Sequence, residues 1–400
     1  MPALQIKDRV MLNACSHWKL SLTLALATAL VLSACDDQKT NPLSAKPPSP
    51  ITSEALTWDQ LPSWNQDQAQ EVWPALLNNC LVMAKKEFFW ETVCQAAQAN
   101  PASDAASARL FFEHYFTPYQ LFGENLKAEG LLTGYYEPLL QGSFTPSERF
   151  QYPLYSPPKD MLTIELGELY PELKDKRVRG RLVENSRVVP YYDRATIDGA
   201  TKPLAGQEII WVDNKEDLFF LHIQGSGRVQ LPDGKVVGVA YANQNGLPYV
   251  AIGKRLQEWG KLKAGTINMF SIKQWLRDNP TEADKLLNEN PSYVFFSLRE
   301  NIEQGPVGSL GVPLTAGRSL AVDRKVIDLG SLMWIDTTYP DTNQPLQRLM
   351  FAQDTGGAIK GDLRGDFFFG TGQQAETWAG HMKQKTRFYI LKPNANIPAN

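Results

Sequence analysis

Hydrophobic and polar positions divide the chain into stretches of different period. From Trp58 to Leu121 apolar residues recur every three or four positions, as in "EVWPALLNNCLVMAKK", which predicts amphipathic helices. Ser103 is the expected cap of the helix "SDAASARLFFEHYF". From Gly130 the period shortens toward two and Gly and Pro separate the runs, which predicts short strands and turns.

The second half of the chain mixes the two patterns. We expect strands in "DLFFLHIQGSGRVQLPDG", with a hairpin at "LPDG", and again from "SYVFFSL" to "RFYILKP". Between them, "YVAIGKRLQEWGKL" and "SIKQWLRDN" are amphipathic, and "TEADKLL" predicts a helix with a capping box of Thr281 and Asp284. The pattern therefore favours a mainly β protein with peripheral helices over an alternating α/β chain.

The N-terminus has the features of a secretory signal. Lys19 precedes the apolar run Leu20 to Leu32, which is well below the ~20 residues that a membrane-spanning helix needs. Small residues then lead to Cys35 in "LSAC", and this resembles a bacterial lipobox in which the cysteine is lipidated. We therefore predict a lipoprotein signal peptide at 1–34. A cleaved signal with an incidental cysteine is the alternative.

The segment after the signal is polar and rich in proline. Residues 35–55 carry the lipidated Cys35 and a stretch that buries too little apolar surface to fold, which predicts a flexible tether. The folded body is then held at a membrane facing the periplasm. We expect the outer membrane, although Asp36 directly after the cysteine resembles an inner-membrane retention signal.

Composition and charge exclude several classes of protein. Apolar residues make up 43% of the chain and the formal net charge is −3, so nothing indicates nucleic-acid binding.

Cys80 and Cys94 are an even pair in an oxidising compartment and predict a disulfide, with two buried thiols as the alternative. No metal-ligand spacing, phosphate-binding loop or dinucleotide motif is present, so we expect no cofactor and no metal site.

The candidate chemistry lies in "RLMFAQDTGGAIKGDLRGDFFFGTG". Strand alternation puts Asp354 on the face of Met350 and Ala352, and Asp366 on the face of Phe368. A carboxyl beside apolar surface and near a second carboxyl is shifted toward its protonated form, as a general acid requires near neutral pH. Turn capping, a calcium loop, or ion pairs with Lys360 and Arg364 are competing interpretations.

Several motifs in order resemble the membrane-bound lytic murein transglycosylase A family. They are "TGYYEPLL", "DLFFLHIQGSGRVQLPDG", "YANQNGLPY" and "NPSYVFFSL". "LAVDRKVIDLGSLMWID" followed by "AQDTGGAIKGDLRGDFFFGTG" resembles the C-terminal three-aspartate domain of that family. The three aspartates fall on Asp323, Asp354 and Asp366. The resemblance runs from about Thr133 to Leu391, and Asp328 departs from the small residue that the family usually carries there.

The resemblance implies a fold and a division into domains. It implies a double-psi β-barrel domain built from residues 56–138 and 299–395, with the three-aspartate region inside it. A smaller, β-rich second domain is inserted at residues 139–298. A groove for a glycan strand is expected between the two domains.

The resemblance also implies an activity. Asp366 is expected to be the single catalytic acid and base of a peptidoglycan lytic transglycosylase, which forms 1,6-anhydromuramoyl ends. We expect Asp354 and Asp323 to support the site, with a purely structural role as the alternative. The predicted sugar contacts are Tyr135, Tyr136 and Gln224. The alternative for the two tyrosines is packing in the core, and the alternative for Gln224 is a structural role in a backbone turn.

Two other functions stay open on the sequence. The first is an inverting hydrolase of the same glycan, in which Asp354 activates water. The second is a non-catalytic lipoprotein that binds peptidoglycan through the same groove. The expected partners are peptidoglycan strands, the membrane through the lipid anchor, and a cell-wall synthesis or hydrolysis complex.

Overall fold

The computed structural model describes residues 51–174, 176, 178–361 and 363–394. The predicted signal peptide, Cys35, Asp36 and most of the tether lie outside these residues. The α-helices of the described chain are α1 Trp73–Met83, α2 Phe88–Ala99, α3 Ala105–Tyr115, α4 Arg194–Ile197, α5 Lys215–Gln224, α6 Ile252–Glu258, α7 Met269–Asp278, α8 Pro280–Asn288 and α9 Gln373–His381. Short 3-10 helices are Trp58–Gln60, Trp64–Gln66, Ala69–Val72, Glu124–Leu126 and Pro171–Leu173.

The strands of the described chain form three sheets. They are β1 Thr52–Ala55, β2 Phe116–Phe122, β3 Glu129–Glu137, β4 Leu139–Ser143, β5 Tyr152–Tyr155, β6 Met161–Thr163, β7 Arg179–Val183, β8 Arg187–Pro190, β9 Glu208–Val212, β10 Ser226–Gln230, β11 Val236–Gln244, β12 Val294–Arg299, β13 Ser319–Val322, β14 Leu332–Thr338, β15 Pro345–Asp354, β16 Arg364–Thr371 and β17 Lys383–Pro393.

Six strands close into a barrel. The order β17-β14-β15-β13-β16-β3 returns to β17, because β17 pairs with both β14 and β3. Two pairs in this ring are parallel, β3 with β16 and β13 with β15, and the others are antiparallel. Closure removes the exposed sheet edge that an open arrangement would leave. Strands β1 and β2 continue the sheet outward from β17.

The segment between β3 and β13 forms a second lobe. Its main sheet has the order β12-β11-β10-β4-β9-β5, and β6, β7 and β8 make a small separate sheet. Its apolar core lies under α5 and includes Leu154, Ile210 and Val229. The helices α6, α7 and α8 pack in another cluster with α9 of the barrel lobe.

The N-terminal helices cover the outside of the barrel. Trp73 of α1 and Phe112 of α3 share one apolar cluster with Trp334 and Phe351 of the barrel strands. A buried ion pair reinforces this contact, since Arg318 binds Asp67 through two hydrogen bonds of 2.8 and 2.9 Å. The helical layer is therefore an integral part of the barrel lobe.

Several local predictions are wrong. The strand β2 lies in the region predicted as helical, and the helix α9 lies in the region predicted as strands. Three further errors concern helix ends. "KEDLFFLHIQ" is helix α5 and not a strand, because Asn214 caps its start and Gly225, at φ 80°, ends it. Helix α3 is capped by Asp104 and not by Ser103. Helix α8 begins at Pro280 after Asn279, so Thr281 falls inside the helix and forms no capping box.

Candidate active site

Two of the predicted aspartates lie on the same face of the barrel wall. Asp366 of β16 and Asp354 of β15 both pair with Ala321, on the strand between them. Directly paired residues face the same side of a sheet, and two strand spacings put their Cα atoms about 10 Å apart. The register shifts between Leu320 and Ala321, so Asp354 lies on the opposite face from Ala352, and the prediction that these two residues share a face is wrong. Both aspartates are partly exposed.

The Asp366 carboxyl sits in an environment that favours its protonated form. Burial raises its pKa to about 6, and the nearby charge of Asp354 adds to the rise. The Thr133 hydroxyl, which donates to Oδ1 at 2.6 Å, and the charge of Arg364 both oppose this shift. Burial outweighs these two effects. A carboxyl with this pKa exchanges a proton readily near neutral pH.

The Asp354 carboxyl is held by several donors. Its Oδ1 accepts from the backbone N–H and the hydroxyl of Ser309, each at 2.9 Å. Its Oδ2 accepts from the Tyr135 hydroxyl at 3.1 Å. Burial raises the pKa of Asp354, while the Thr355 N–H, Ser309 and Tyr135 lower it. Burial outweighs these donors, so the pKa of Asp354 stays above its ordinary value.

Asp323 lies away from this pair, just after β13. It is buried, and its carboxyl accepts from the backbone N–H groups of Lys325 at 3.1 Å and Gly361 at 2.9 Å. These bonds fasten the loop that leads into β16. Its contacts therefore support the shape of the site through the backbone.

The other predicted site residues make contacts within the protein. Tyr135 packs its ring against Phe368 with centroids 5.1 Å apart. Tyr136 is buried, and its hydroxyl donates to Glu376 at 3.0 Å. Gln224 accepts from the backbone N–H of Tyr136 at 3.0 Å. Tyr135 also donates to Asp354, as described above, and sugar binding by the three residues stays a prediction.

A charged cluster that no sequence motif predicted lies where the lobes meet. Glu137, the last residue of β3, is 1% exposed and accepts from Arg299 at the end of β12. Arg228 Nε lies 3.5 Å from the second carboxylate oxygen. Glu137, Arg228 and Phe368 line a cavity of about 480 Å³ on this face. The sequence signal was an acidic residue at the end of an aromatic strand, directly before Pro138.

The remaining predictions concern cysteines, metals and the membrane. Cys80 and Cys94 form a disulfide that ties α1 to α2, with Cα atoms 5.6 Å apart. Within the described ranges, no group of three or more acidic, histidine or cysteine side chains could hold a metal ion. None of the helices in the described part of the chain has the length and apolarity needed to cross a bilayer.

The fold and site together define a class of protein. A closed barrel with two parallel strand pairs carries two carboxyls of raised pKa on its wall, and an inserted β lobe follows the end of β3. Such an arrangement suits acid–base chemistry.

Comparisons with known proteins identify the family. The family model for the MltA specific insert domain matches residues 131–297, and the model for the 3D domain matches residues 318–392. The membrane-bound lytic murein transglycosylase A of Vibrio cholerae is 32% identical over 282 residues, which cover 68% of this chain and 68% of that protein.

Solved structures show the same relationship. MltA from Neisseria gonorrhoeae has a TM-score of 0.75 and 34% identity, over 88% of this chain and 97% of that one. Escherichia coli MltA with bound chitohexaose has a TM-score of 0.65 and 26% identity, over 86% of this chain and 95% of that one. The chain belongs to the membrane-bound lytic murein transglycosylase A family. The prediction of a mainly β fold, with a double-psi barrel and an inserted domain, is confirmed.

Proposed function

We propose that this protein is a lytic transglycosylase that cleaves the β-1,4 bond between N-acetylmuramic acid and N-acetylglucosamine in peptidoglycan. The observation that carries the proposal is the Asp366 carboxyl, which is partly exposed on the barrel wall and has a pKa of about 6. The names of its relatives and the chitohexaose bound to the E. coli protein support a glycan as the substrate.

In the first half of the reaction Asp366 is an acid. Its protonated carboxyl donates the proton to the glycosidic oxygen while the bond from that oxygen to C1 of the muramoyl residue breaks. Burial keeps a useful fraction of Asp366 protonated near pH 6. The ionised form of Asp354 would stabilise the positive charge that develops at C1.

In the second half Asp366 is a base. The carboxylate takes the proton from the muramoyl C6 hydroxyl as that oxygen attacks C1, and a 1,6-anhydro ring closes. The bond to the leaving sugar is replaced by the bond from O6, and the proton that Asp366 gave up returns to it. No water is consumed, so the reaction needs no second carboxylate to activate one, in contrast to ordinary glycosidases.

The hydrolase alternative places a demand on Asp354. As a general base it would have to accept a proton from water, yet its two oxygens already accept from Ser309 and Tyr135. These bonds hold the carboxyl against Ser309 and Tyr135 and occupy both of its oxygens, while burial keeps its pKa raised. The contacts of Asp354 therefore support the lyase over the hydrolase.

Product analysis tests the proposal. We expect purified protein that begins after Cys35 to release anhydromuramoyl ends from murein, which mass spectrometry separates from reducing ends by one water. Reducing ends alone would establish the hydrolase. Asp366→Asn should lose at least about 1,000-fold in rate and still bind murein. Asp233→Asn, in the exposed turn before β11, is the matched control. Full cleavage by Asp366→Asn would overturn the role of this residue.

We also propose that Cys35 carries the lipid that holds the protein to the outer membrane, facing the periplasm. The lipobox-like sequence and the membrane-bound names of the relatives support an anchor. Cys35→Ala should move the protein from the membrane fraction to the soluble periplasmic fraction. Density separation of the two membranes checks the alternative that Asp36 retains the protein in the inner membrane. An anchored enzyme of this kind is also placed to join a cell-wall synthesis or hydrolysis complex.

A further inference from the structure

Thr133 is the direct hydrogen-bond donor to the candidate acid. It lies on β3 opposite Asp366 in the parallel pair, and its hydroxyl is 2.6 Å from Oδ1 of that carboxyl. A distance of 2.6 Å is typical of a hydroxyl that donates to an ionised carboxylate. This threonine is outside the three-aspartate pattern.

The direction of this bond is fixed by Arg364. Its Nη2 donates to the Thr133 hydroxyl oxygen at 3.0 Å, while its Nη1 donates to the carbonyls of Leu131 at 3.1 Å and Gly365 at 2.8 Å. A guanidinium has only donors, so the threonine oxygen must accept from it. The single hydroxyl hydrogen of Thr133 is then left for Asp366.

We propose that Arg364 and Thr133 form a directional relay that keeps Oδ1 of Asp366 as a hydrogen-bond acceptor and leaves Oδ2 to carry the catalytic proton. The inference rests on the proposed function of Asp366. In this account Oδ2–H gives its proton to the glycosidic oxygen, and Oδ2 later takes the proton from the C6 hydroxyl. Thr133 and Arg364 are positioning residues, because they act through Asp366.

The relay also limits how far the pKa of Asp366 rises. Thr133 and Arg364 lower it, against burial and the charge of Asp354. The other titratable group close to this carboxyl is Tyr135, whose own pKa is raised well above its usual value by burial and by the two aspartates. Lys383 of β17 pairs with Thr133 in the sheet, and its side chain is exposed.

The test is the pH dependence of kcat on murein. The acid form of Asp366 is required, so activity falls as pH rises through its pKa. Thr133→Val keeps the branched shape of the side chain and removes the donor. We expect this alkaline limb to move upward by about one pH unit, because the anion loses a charge-assisted hydrogen bond. We also expect kcat below pH 6 to fall about 10-fold, because the carboxyl is no longer held in one orientation, and KM to change by less than about twofold.

Further variants separate the relay from other roles. Thr133→Ser should restore the wild-type limb, and Arg364→Gln should shift it in the same direction as Thr133→Val by a smaller amount. Thr337→Val is the matched control, since this buried threonine donates to the Lys385 carbonyl at 2.8 Å elsewhere in the barrel. It should leave the limb in place.

The outcomes distinguish this inference from the proposed function. If the alkaline limb of kcat does not move in Thr133→Val while Asp366→Asn is inactive, the relay is overturned and the role of Asp366 as the acid stands. A raised KM with an unchanged limb would make Thr133 a sugar contact, which also overturns the relay. Cleavage by Asp366→Asn would instead remove the proposed function itself.

Discussion

Two carboxyls in the barrel lobe have opposite surroundings. Asp67, where the N-terminal segment meets the barrel, receives both Nη groups of Arg318 and the backbone N–H of Leu349 at 3.1 Å. Asp366 forms no ion pair with another described residue. Arg364 donates to the Thr133 hydroxyl, and that hydroxyl donates to Asp366. A charge that holds the structure together has direct partners. A carboxyl that must exchange a proton does not, because a direct cation would lower its pKa.

The largest expected effect is a loss of stability on breaking the ion pair of Arg318 with Asp67. Arg318→Met would leave Asp67 buried without its partner, and we expect the free energy of unfolding to fall by about 3–5 kcal/mol in urea titrations. The exposed pair Arg149–Asp213, at 3.1 Å, provides the control, since Arg149→Met should cost less than about 1 kcal/mol. A loss below 1 kcal/mol in Arg318→Met would contradict the comparison.

Asp354→Asn tests the catalytic side of the comparison. The substitution removes a negative charge that raises the pKa of Asp366. The alkaline limb of kcat should therefore move to lower pH, opposite to the shift in Thr133→Val. We also expect kcat to fall about 10- to 100-fold as the arrangement around the reacting sugar changes. A limb that stays in place would show that Asp354 does not act on Asp366.

His222 extends the comparison to the second lobe. It is 6% exposed, its Nδ1 lies 3.1 Å from Nη2 of Arg194, and burial and this cation lower its pKa well below the usual value. The unfolded chain binds a proton below about pH 6.5 and the folded one resists it, so stability should fall as pH drops. Between pH 7 and 5 we expect a loss of about 2 kcal/mol that His222→Gln does not show. Parallel stability curves of the two proteins would refute this assignment.

The smallest expected effect is a gain in the free energy of unfolding on substitution of Asp366. The folded pKa of Asp366 is raised from 3.8 to about 6, so its ionisation opposes folding as pH rises through this window, and the penalty is complete above it. Asp366→Asn removes the penalty and should raise the free energy of unfolding at pH 7.5 by about 1 kcal/mol, discounted for partial exposure. At pH 3.5 the two proteins should be equally stable. A less stable Asp366→Asn at pH 7.5 would contradict a raised pKa.

The spacing of apolar residues predicted much of the secondary structure. It failed where an element is apolar on all sides, because such an element has no amphipathic period. Helix α5 buries Leu218, Phe219, Phe220, Leu221 and His222, and a helix with apolar residues on every side shows no amphipathic spacing. Its ends carry the information instead, in Asn214 and Gly225. The motifs grouped Asp366 with Asp354. The ion pairs of Glu137 were not predicted, because Arg228 and Arg299 come from distant strands.

The sequence alone determined the residue types of the site, the strand face of Asp366 and the family to which the motifs point, because alternation and motif order are local properties of the chain. The face of Asp354 depends on a register shift in the pairing of β13 with β15, which alternation along one strand does not show. Only the tertiary structure decided which groups surround each carboxyl. Thr133 meets Asp366 across 233 positions through the pairing of β3 with β16, and Asp67 meets Arg318 across 251 through packing of the N-terminal segment on the barrel. Since a carboxyl's pKa follows its burial and its neighbours, the chemistry of these aspartates is fixed by the fold.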